Sequence, residues 1–339
     1  MNSYERTMAV FEGKQPDRLP AHPIFMGFAA RLVGATYEQY ARDFRTLVRA
    51  QLATCERFGF DGVNCISDAW REAADLGTEL IFYPDAPPAP KGHILADKAA
   101  LARLKLPDPL AGGRMLDRVQ ACALFREKVG GEQPIGGWIE GPLAEAADLR
   151  GINEVMVDLI DDPAFVDDLM DFVCEMEIAF ARAQVAAGAD IIGMGDSASS
   201  LISEQMYRRF VFPRAKRIVD AVHAAGAKLR LHICGDITHL LEAIAELGVD
   251  QVDVDYPVDL ALAREKLGPK VVLSGNFDPV TELRDATPEE VFRACARCHE
   301  ICGQRYILGA GCEVPQDTPH ENVRAMIDYA RSTAQNAGH

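Results

Sequence analysis

The sequence has 339 residues, 48% of them hydrophobic and 25% charged, which is enough apolar material for a large buried core in an ordinary water-soluble chain. With 35 basic against 51 acidic residues the formal net charge is −16, which repels phosphate backbones and anionic lipid surfaces, and no basic patch offsets it. The opening MNSYERTMAVFEGKQPDRLP lacks the apolar stretch of a secretory leader, and no run nears the ~18 apolar residues that span a bilayer, so a cytoplasmic location without membrane or nucleic-acid partners is expected.

Short apolar runs then alternate with helical periodicity along the chain. The first is LPAHPIF (19–25), and the second, FDGVNCI (60–66), stops just before Asp68. The proline-rich stretch from YPDAPPAPKGHI (83–94) to LPDPLAGG (106–113) breaks the rhythm and predicts an insertion over about 69–113. PIGGWIE (134–140) ends on Glu140, ADIIGMG (189–195) is followed by Asp196, and KLRLHIC (228–234) carries His232 and Cys234. VDQVDVD (249–255), KVVLSGN (270–276) and RYILGAG (305–311) complete the set, with Cys312 directly after the last. Most runs lead into a turn and then a segment apolar at i, i+3 and i+4, such as VFRACARCHEIC (291–302) or NVRAMIDYARS (322–332). Strand then helix, repeated, implies a parallel sheet. Eight such units predict an α/β (β/α)8 TIM barrel forming a single domain over 1–339. The competing Rossmann-like sheet lacks its G-x-G-x-x-G after the first strand.

Barrel chemistry sits at the C-terminal ends of the strands, so Asp68, Asp196, His232, Cys234, Asn276, Asp278 and Cys312 are expected at one mouth. In a strand, His232 and Cys234 point to the same side. With Cys312 they form either a zinc site, since catalytic zinc takes three protein ligands and keeps one position open, or a patch of buried core. Nine cysteines, an odd number in a chain with no export signal, fit free thiols and metal ligands better than a disulfide framework. CARCH (295–299) fits the c-type haem pattern, but Cys295, Cys298 and Cys302 share one helical face and read as buried packing. Glu140 and Asp196 are candidates to orient a ligand or substrate, or else strand-end carboxylates in solvent. His22, His93, His223, His239 and His320 stand singly and read as surface or capping residues, and GNFDP (275–279) as a turn.

The segments DGVNCISDAWREAADLG, GGWIEGPLAEAADLRG, LSGNFDP and VPQDTPHENVRA are similar to the uroporphyrinogen decarboxylase superfamily, and the resemblance spans nearly the whole chain. It implies a (β/α)8 barrel. The decarboxylase branch carries Met-Arg-Gln-Ala-Gly-Arg where this chain has Met26-Gly27-Phe28-Ala29-Ala30-Arg31, so only Arg31 remains of the arginines that bind substrate carboxylates. Its essential aspartate matches Asp68, while its tyrosine falls at Asp148 and its histidine at Gly311. The corrinoid-linked methyltransferase branch, by contrast, holds zinc with a His-x-Cys pair and a later Cys that match His232, Cys234 and Cys312.

What the resemblance implies is a zinc-dependent methyltransferase moving methyl between a small thiol or methyl ether, such as a methoxylated aromatic, and a corrinoid. Asp68, Glu140 and Asp196 become the candidate catalytic residues. The chain lacks the D-x-H-x-x-G cobalamin pattern, so methylcobalamin or another corrinoid is expected on a partner protein. The alternatives are a uroporphyrinogen decarboxylase needing no cofactor and a non-catalytic carrier of metal or corrinoid.

Overall fold

The computed structural model describes residues 1–334. Seven parallel strands follow one another in sequence order across one curled sheet: β1 (Val63–Asn64), β2 (Ile135–Glu140), β3 (Ile191–Gly195), β4 (Lys228–His232), β5 (Gln251–Val254), β6 (Val272–Gly275) and β7 (Tyr306–Ile307). Helices cover its outer face, among them α1 (Phe44–Phe58), α2 (Gly113–Val129), α3 (Pro142–Arg150), α4 (Ile152–Asp161), α5 (Pro163–Ala186), α6 (Phe212–Ala224), α7 (Leu241–Leu247), α8 (Leu260–Leu267), α9 (Pro288–Cys302) and α10 (His320–Ser332). Every residue of β2 is buried, as expected of a parallel strand covered on both faces. The molecule is a single-domain α/β fold built on an open seven-stranded sheet.

The expected eighth strand is corrected by the structure. LPAHPIF forms only an isolated bridge between Ala21 and Leu308. The His22 N–H donates to the Leu308 carbonyl (2.9 Å), Leu308 N–H to the Pro20 carbonyl (2.8 Å), and Asp61 N–H to the Ala21 carbonyl (2.8 Å). Pro20 and Pro23 carry no N–H, so a regular ladder cannot be filled on either side of this segment. His22 also departs from its expected surface position: it is buried, and a Cβ on Gly62 would lie 2.5 Å from its ring.

Residues 69–113 contain a short helix (Arg71–Asp75), a two-stranded antiparallel ribbon (Leu80–Ile81 with Ala89–Pro90) and a 3-10 turn (Lys98–Arg103). The helices start on recognisable signals. Thr287 caps α9 through a reciprocal box with Glu290, and Pro288 takes the first turn. The buried side of α9 consists of Val291, Ala294, Cys295, Cys298 and Cys302, so the CARCH stretch is a packing face. No helix among the described residues is long and apolar enough to cross a membrane.

Strand register sets up the mouth. Glu140 pairs with Gly195, Gly195 with His232, and His232 with Asp253, so these residues form one row at the C-terminal ends of β2 to β5. Gly195 is the gap in that row, since a Cβ there would sit 3.1 Å from Glu140 Oε2.

Candidate metal centre

His232 is the last residue of β4, and Cys234 lies two residues on, in the loop. Gly235 follows with φ of +89°, a left-handed conformation that lets the chain turn away at once. Its N–H donates to Asp255 Oδ2 (2.7 Å), which pins the turn from the end of β5. Cys312 approaches from the loop after β7, and Gly311 is what lets that loop come close: a Cβ there would lie 2.8 Å from Asp255 Oδ1 and from the Tyr256 nitrogen.

The three donor atoms lie within 4.8 Å of one another. Cys234 Sγ is 3.7 Å from Cys312 Sγ, Cys312 Sγ is 3.7 Å from His232 Nε2, and His232 Nε2 is 3.0 Å from Cys234 Sγ. Two ligands each ~2.3 Å from a tetrahedral ion are separated by about 3.7 Å, so two of the three edges already match a common ion. The third is at thiol–imidazole hydrogen-bond length and has to open by about half an ångström around the shorter nitrogen–metal bond.

The electrostatics favour anionic sulfur beside a held imidazole. Cys312 is lowered to about 4, first by the hydrogen bond it accepts from Cys234 and, against the effect of burial, by His232. Cys234, the donor in that pair, is raised. Burial opposes charge on His232, but the neighbouring thiols and Asp253 outweigh it and raise it well above the usual imidazole value.

Asp253 was not singled out in the sequence, although the alternation in VDQVDVD puts it on the inner face. Its Oδ2 lies 3.2 Å from His232 Nδ1, and Arg230 Nε donates to both of its oxygens (2.9 and 2.7 Å). Gln251 Nε2 donates to Oδ1 at 3.0 Å. Burial would raise this carboxyl, yet the Arg230 charge and the His232 hydrogen bond hold it at about 2. A carboxylate bonded to Nδ1–H fixes the tautomer and leaves the Nε2 lone pair facing the two sulfurs, the usual support of a metal-bound histidine.

Over the triad lies a cavity of about 200 Å³ whose walls include Met26, Trp138, Glu140 and Glu313 beside the three candidate ligands. A second cavity of about 620 Å³, walled in part by Trp70, His93, Asp148 and Leu201, shares Ala69, Glu140, Ser197 and Cys234 with the first. Glu313 accepts the Gly27 N–H (2.9 Å), and burial pushes it up to about 7.

The three carboxylates expected to be catalytic are placed differently from one another. Asp68 is locked into a two-pronged ion pair with Arg114 (2.7 and 2.6 Å) and also accepts from Ser67 Oγ and Trp70 N–H. Against its burial, the Arg114 charge holds it well below the usual carboxylate range. Asp196 accepts from the Leu143 and Ala144 N–H groups at the start of α3 and from Ser199 Oγ, and burial raises it to about 6. It does not line either cavity. Glu140 accepts from Arg71 Nη2 on Oε1 (2.7 Å), faces both cavities, and is raised well above the usual range by burial. Asn276 and Asp278 are used locally, on the Val258 carbonyl and on the Val280 N–H, respectively.

Residues 2–333 match the family model described as uroporphyrinogen decarboxylase (URO-D). The chain is 29% identical over 326 residues to the methylcobamide:CoM methyltransferase MtbA of Methanosarcina acetivorans, covering 94% of this chain and 95% of that one. It is 28% identical over 314 residues to the uroporphyrinogen decarboxylase of Actinobacillus pleuropneumoniae, covering 86% and 87%. A solved methyltransferase from Methanosarcina mazei superposes with a TM-score of 0.90 at 25% identity over 98% of this chain and 99% of that chain. Identity barely separates the two kinds of relative. The chain belongs to the uroporphyrinogen decarboxylase family and, within it, stands with the methylcobamide:coenzyme M methyltransferase branch.

Proposed function

We propose that this protein is a zinc-dependent methyltransferase that moves a methyl group between a small substrate, a thiol or a methyl ether, and a corrinoid carried by a partner protein. The observation that carries this reading is the convergence of His232, Cys234 and Cys312 beneath a cavity, in a chain matched along almost all its length by methylcobamide:CoM methyltransferases. Two thiolates and one neutral imidazole cancel the charge of a divalent ion, and this donor set suits zinc. When bound, zinc supplies Lewis acidity at its open position, acidifying a thiol or polarising an ether oxygen.

The surrounding residues divide the remaining work. Asp253 holds the His232 ring so that Nε2 faces the metal. Glu140, with Oε2 free of any hydrogen bond, contacts the substrate, while Asp68 and Asp196 are positioning residues: the first braces the turn carrying Trp70, and the second the start of α3. In the thiol direction the sulfur–carbon bond forms as the carbon–cobalt bond breaks, its electron pair stays with cobalt, and the thiol proton leaves to solvent. We read the architecture as a closed (β/α)8 barrel in which residues 20–22 stand between β7 and β1 as the eighth staves. The chain forms one domain, 69–113 is an excursion that lends Trp70 and His93 to the mouth, and the location is cytoplasmic.

The test is metal content per chain in protein purified without chelator, followed by demethylation of methylcobalamin with thiols. About one zinc per chain and cobalamin demethylation support the reading. No zinc after reconstitution, together with carbon dioxide release from uroporphyrinogen, overturns it in favour of the decarboxylase.

A further inference from the structure

The larger cavity has a charge pattern that the metal centre does not explain. Among the described residues, neither cavity is lined by a lysine or an arginine. Three guanidinium groups near the mouth are already committed: Arg71 is fully buried against Glu140 and Glu72, Arg114 grips Asp68 with both prongs, and Arg230 is bonded to Asp253. The carboxylates outnumber them. Glu140 and Asp148 line the larger cavity, and Glu72, Glu145 and Glu177 are fully buried behind it.

Several of these oxygens have no partner. Glu140 is 6% exposed and spends only Oε1 on Arg71, leaving Oε2 without a hydrogen bond. Asp148 Oδ2 is buried and unpartnered, as are both carboxylate oxygens of Glu145 and of Glu177. The same cavity is lined by two aromatic rings, Trp70 and His93, 6.4 Å apart. The His93 ring is tied through Nδ1 to the Asp148 carbonyl (2.9 Å).

Burial pushes both Glu140 and Asp148 well above the usual carboxylate range, so an anionic tail entering this space finds no cation to pair with, whereas a cationic group supplies the partner that lets these buried acids ionise. A primary or quaternary ammonium meets carboxyl oxygens and an indole ring in one cavity, the kinds of group that recognise such cations. We infer that the small substrate of this site is cationic, an amine- or ammonium-bearing thiol or methylated compound whose positive group sits between Trp70 and the Glu140 and Asp148 carboxylates. This rests on the methyltransferase reading for the identity of the reacting group, but the charge preference stands on the cavity alone.

Two measurements separate the inference from that reading. The first is binding to the purified protein, followed by calorimetry and by tryptophan fluorescence, with choline and ethanesulfonate as unreactive probes of opposite charge. Choline should bind at least about tenfold more tightly, and Asp148→Asn should remove about tenfold of its affinity. Trp70→Leu should weaken choline with every carboxylate in place, which guards against an Asp148 variant that misfolds. Equal binding of the two probes, tighter ethanesulfonate, or no choline binding by the native protein overturns the inference.

The second measurement compares cysteamine, 2-mercaptoethanol and 2-mercaptoethanesulfonate as methyl acceptors from methylcobalamin. The expected kcat/KM falls in that order, whereas a preference for the sulfonate refutes the cationic substrate and leaves the methyltransferase standing. Choline binding with no thiol methylated does the reverse.

Discussion

Two regions of this molecule carry cysteines beside a histidine, and they behave in opposite ways. On α9, Cys295, Cys298 and Cys302 are buried, and burial is the first cause raising each thiol above its usual value. At the mouth, Cys234 and Cys312 are the two cysteines that are not fully buried, and Cys312 is lowered to about 4. The sulfur is the same, but its neighbours differ: an apolar helix face offers the thiolate nothing, whereas the strand ends offer a second thiol, an imidazole and a supporting carboxylate. C-x-x-C-H has the richer spacing and yields packing, while H-x-C plus a cysteine some eighty residues away yields a candidate ligand set.

The contrast can be broken most sharply at Cys312. Cys312→Ala is expected to take bound metal from about one per chain to near none and to abolish methyl transfer, with the far-ultraviolet dichroism of the fold unchanged. Elemental analysis of both proteins settles this, and full metal occupancy in the variant would falsify the ligand set.

Asp253→Asn removes the carboxylate that orients His232 and leaves the buried Arg230 without its counter-ion. Metal affinity measured by chelator competition should fall about 10- to 100-fold.

A third prediction concerns pH and Asp196. Its folded value, about 6, lies above the usual carboxyl value near 4, so the folded state holds its proton longer than the unfolded chain does. Its contribution to stability is therefore complete below pH ~4 and is lost as the pH rises through about 6. The loss is on the order of 2–3 kcal/mol. Asp196→Asn keeps an acceptor for the α3 N–H groups without ionising, so the difference in stability between variant and native protein should move in the variant's favour from pH 4 to pH 7. Urea unfolding at several pH values reads this directly, and a flat difference would show that the carboxyl titrates normally.

The smallest effect belongs to the other sulfur region. Cys298→Ala should cost only packing, about 1 kcal/mol, and leave metal content and methyl transfer unaltered. Loss of metal from this variant would erase the distinction between the two regions.

Much of the fold was legible because the strand signal is local. Seven of the eight apolar runs became strands of one parallel sheet in chain order, since hydrophobic runs punctuated by glycine and separated by helical periodicity admit few other arrangements. LPAHPIF departed from expectation for an equally local reason, its two prolines, which the apolar count did not weigh.

The site divides differently. His232, Cys234 and Cys312 stood out by residue type and by family resemblance, but their convergence depends on the loop after β7 reaching back over the end of β4, which Gly311 permits. Asp253 was hidden because an inward aspartate in an alternating strand has no signature until register sets it beside His232. Asp68 and Glu140 looked alike in the chain. Only their partners separated them, Arg114 taking both oxygens of the first and Arg71 one oxygen of the second.

The sequence by itself thus determined the layered α/β class, the number and order of most strands, and the candidate ligands, because periodicity and residue chemistry are written along the chain. Which sulfurs are reactive, which carboxylate is free to meet a substrate, and the sign of the charge that the cavity accepts were decided only by tertiary structure. Those properties depend on what stands within a few ångströms of each group, and the nearest neighbours come from residues far apart in the chain.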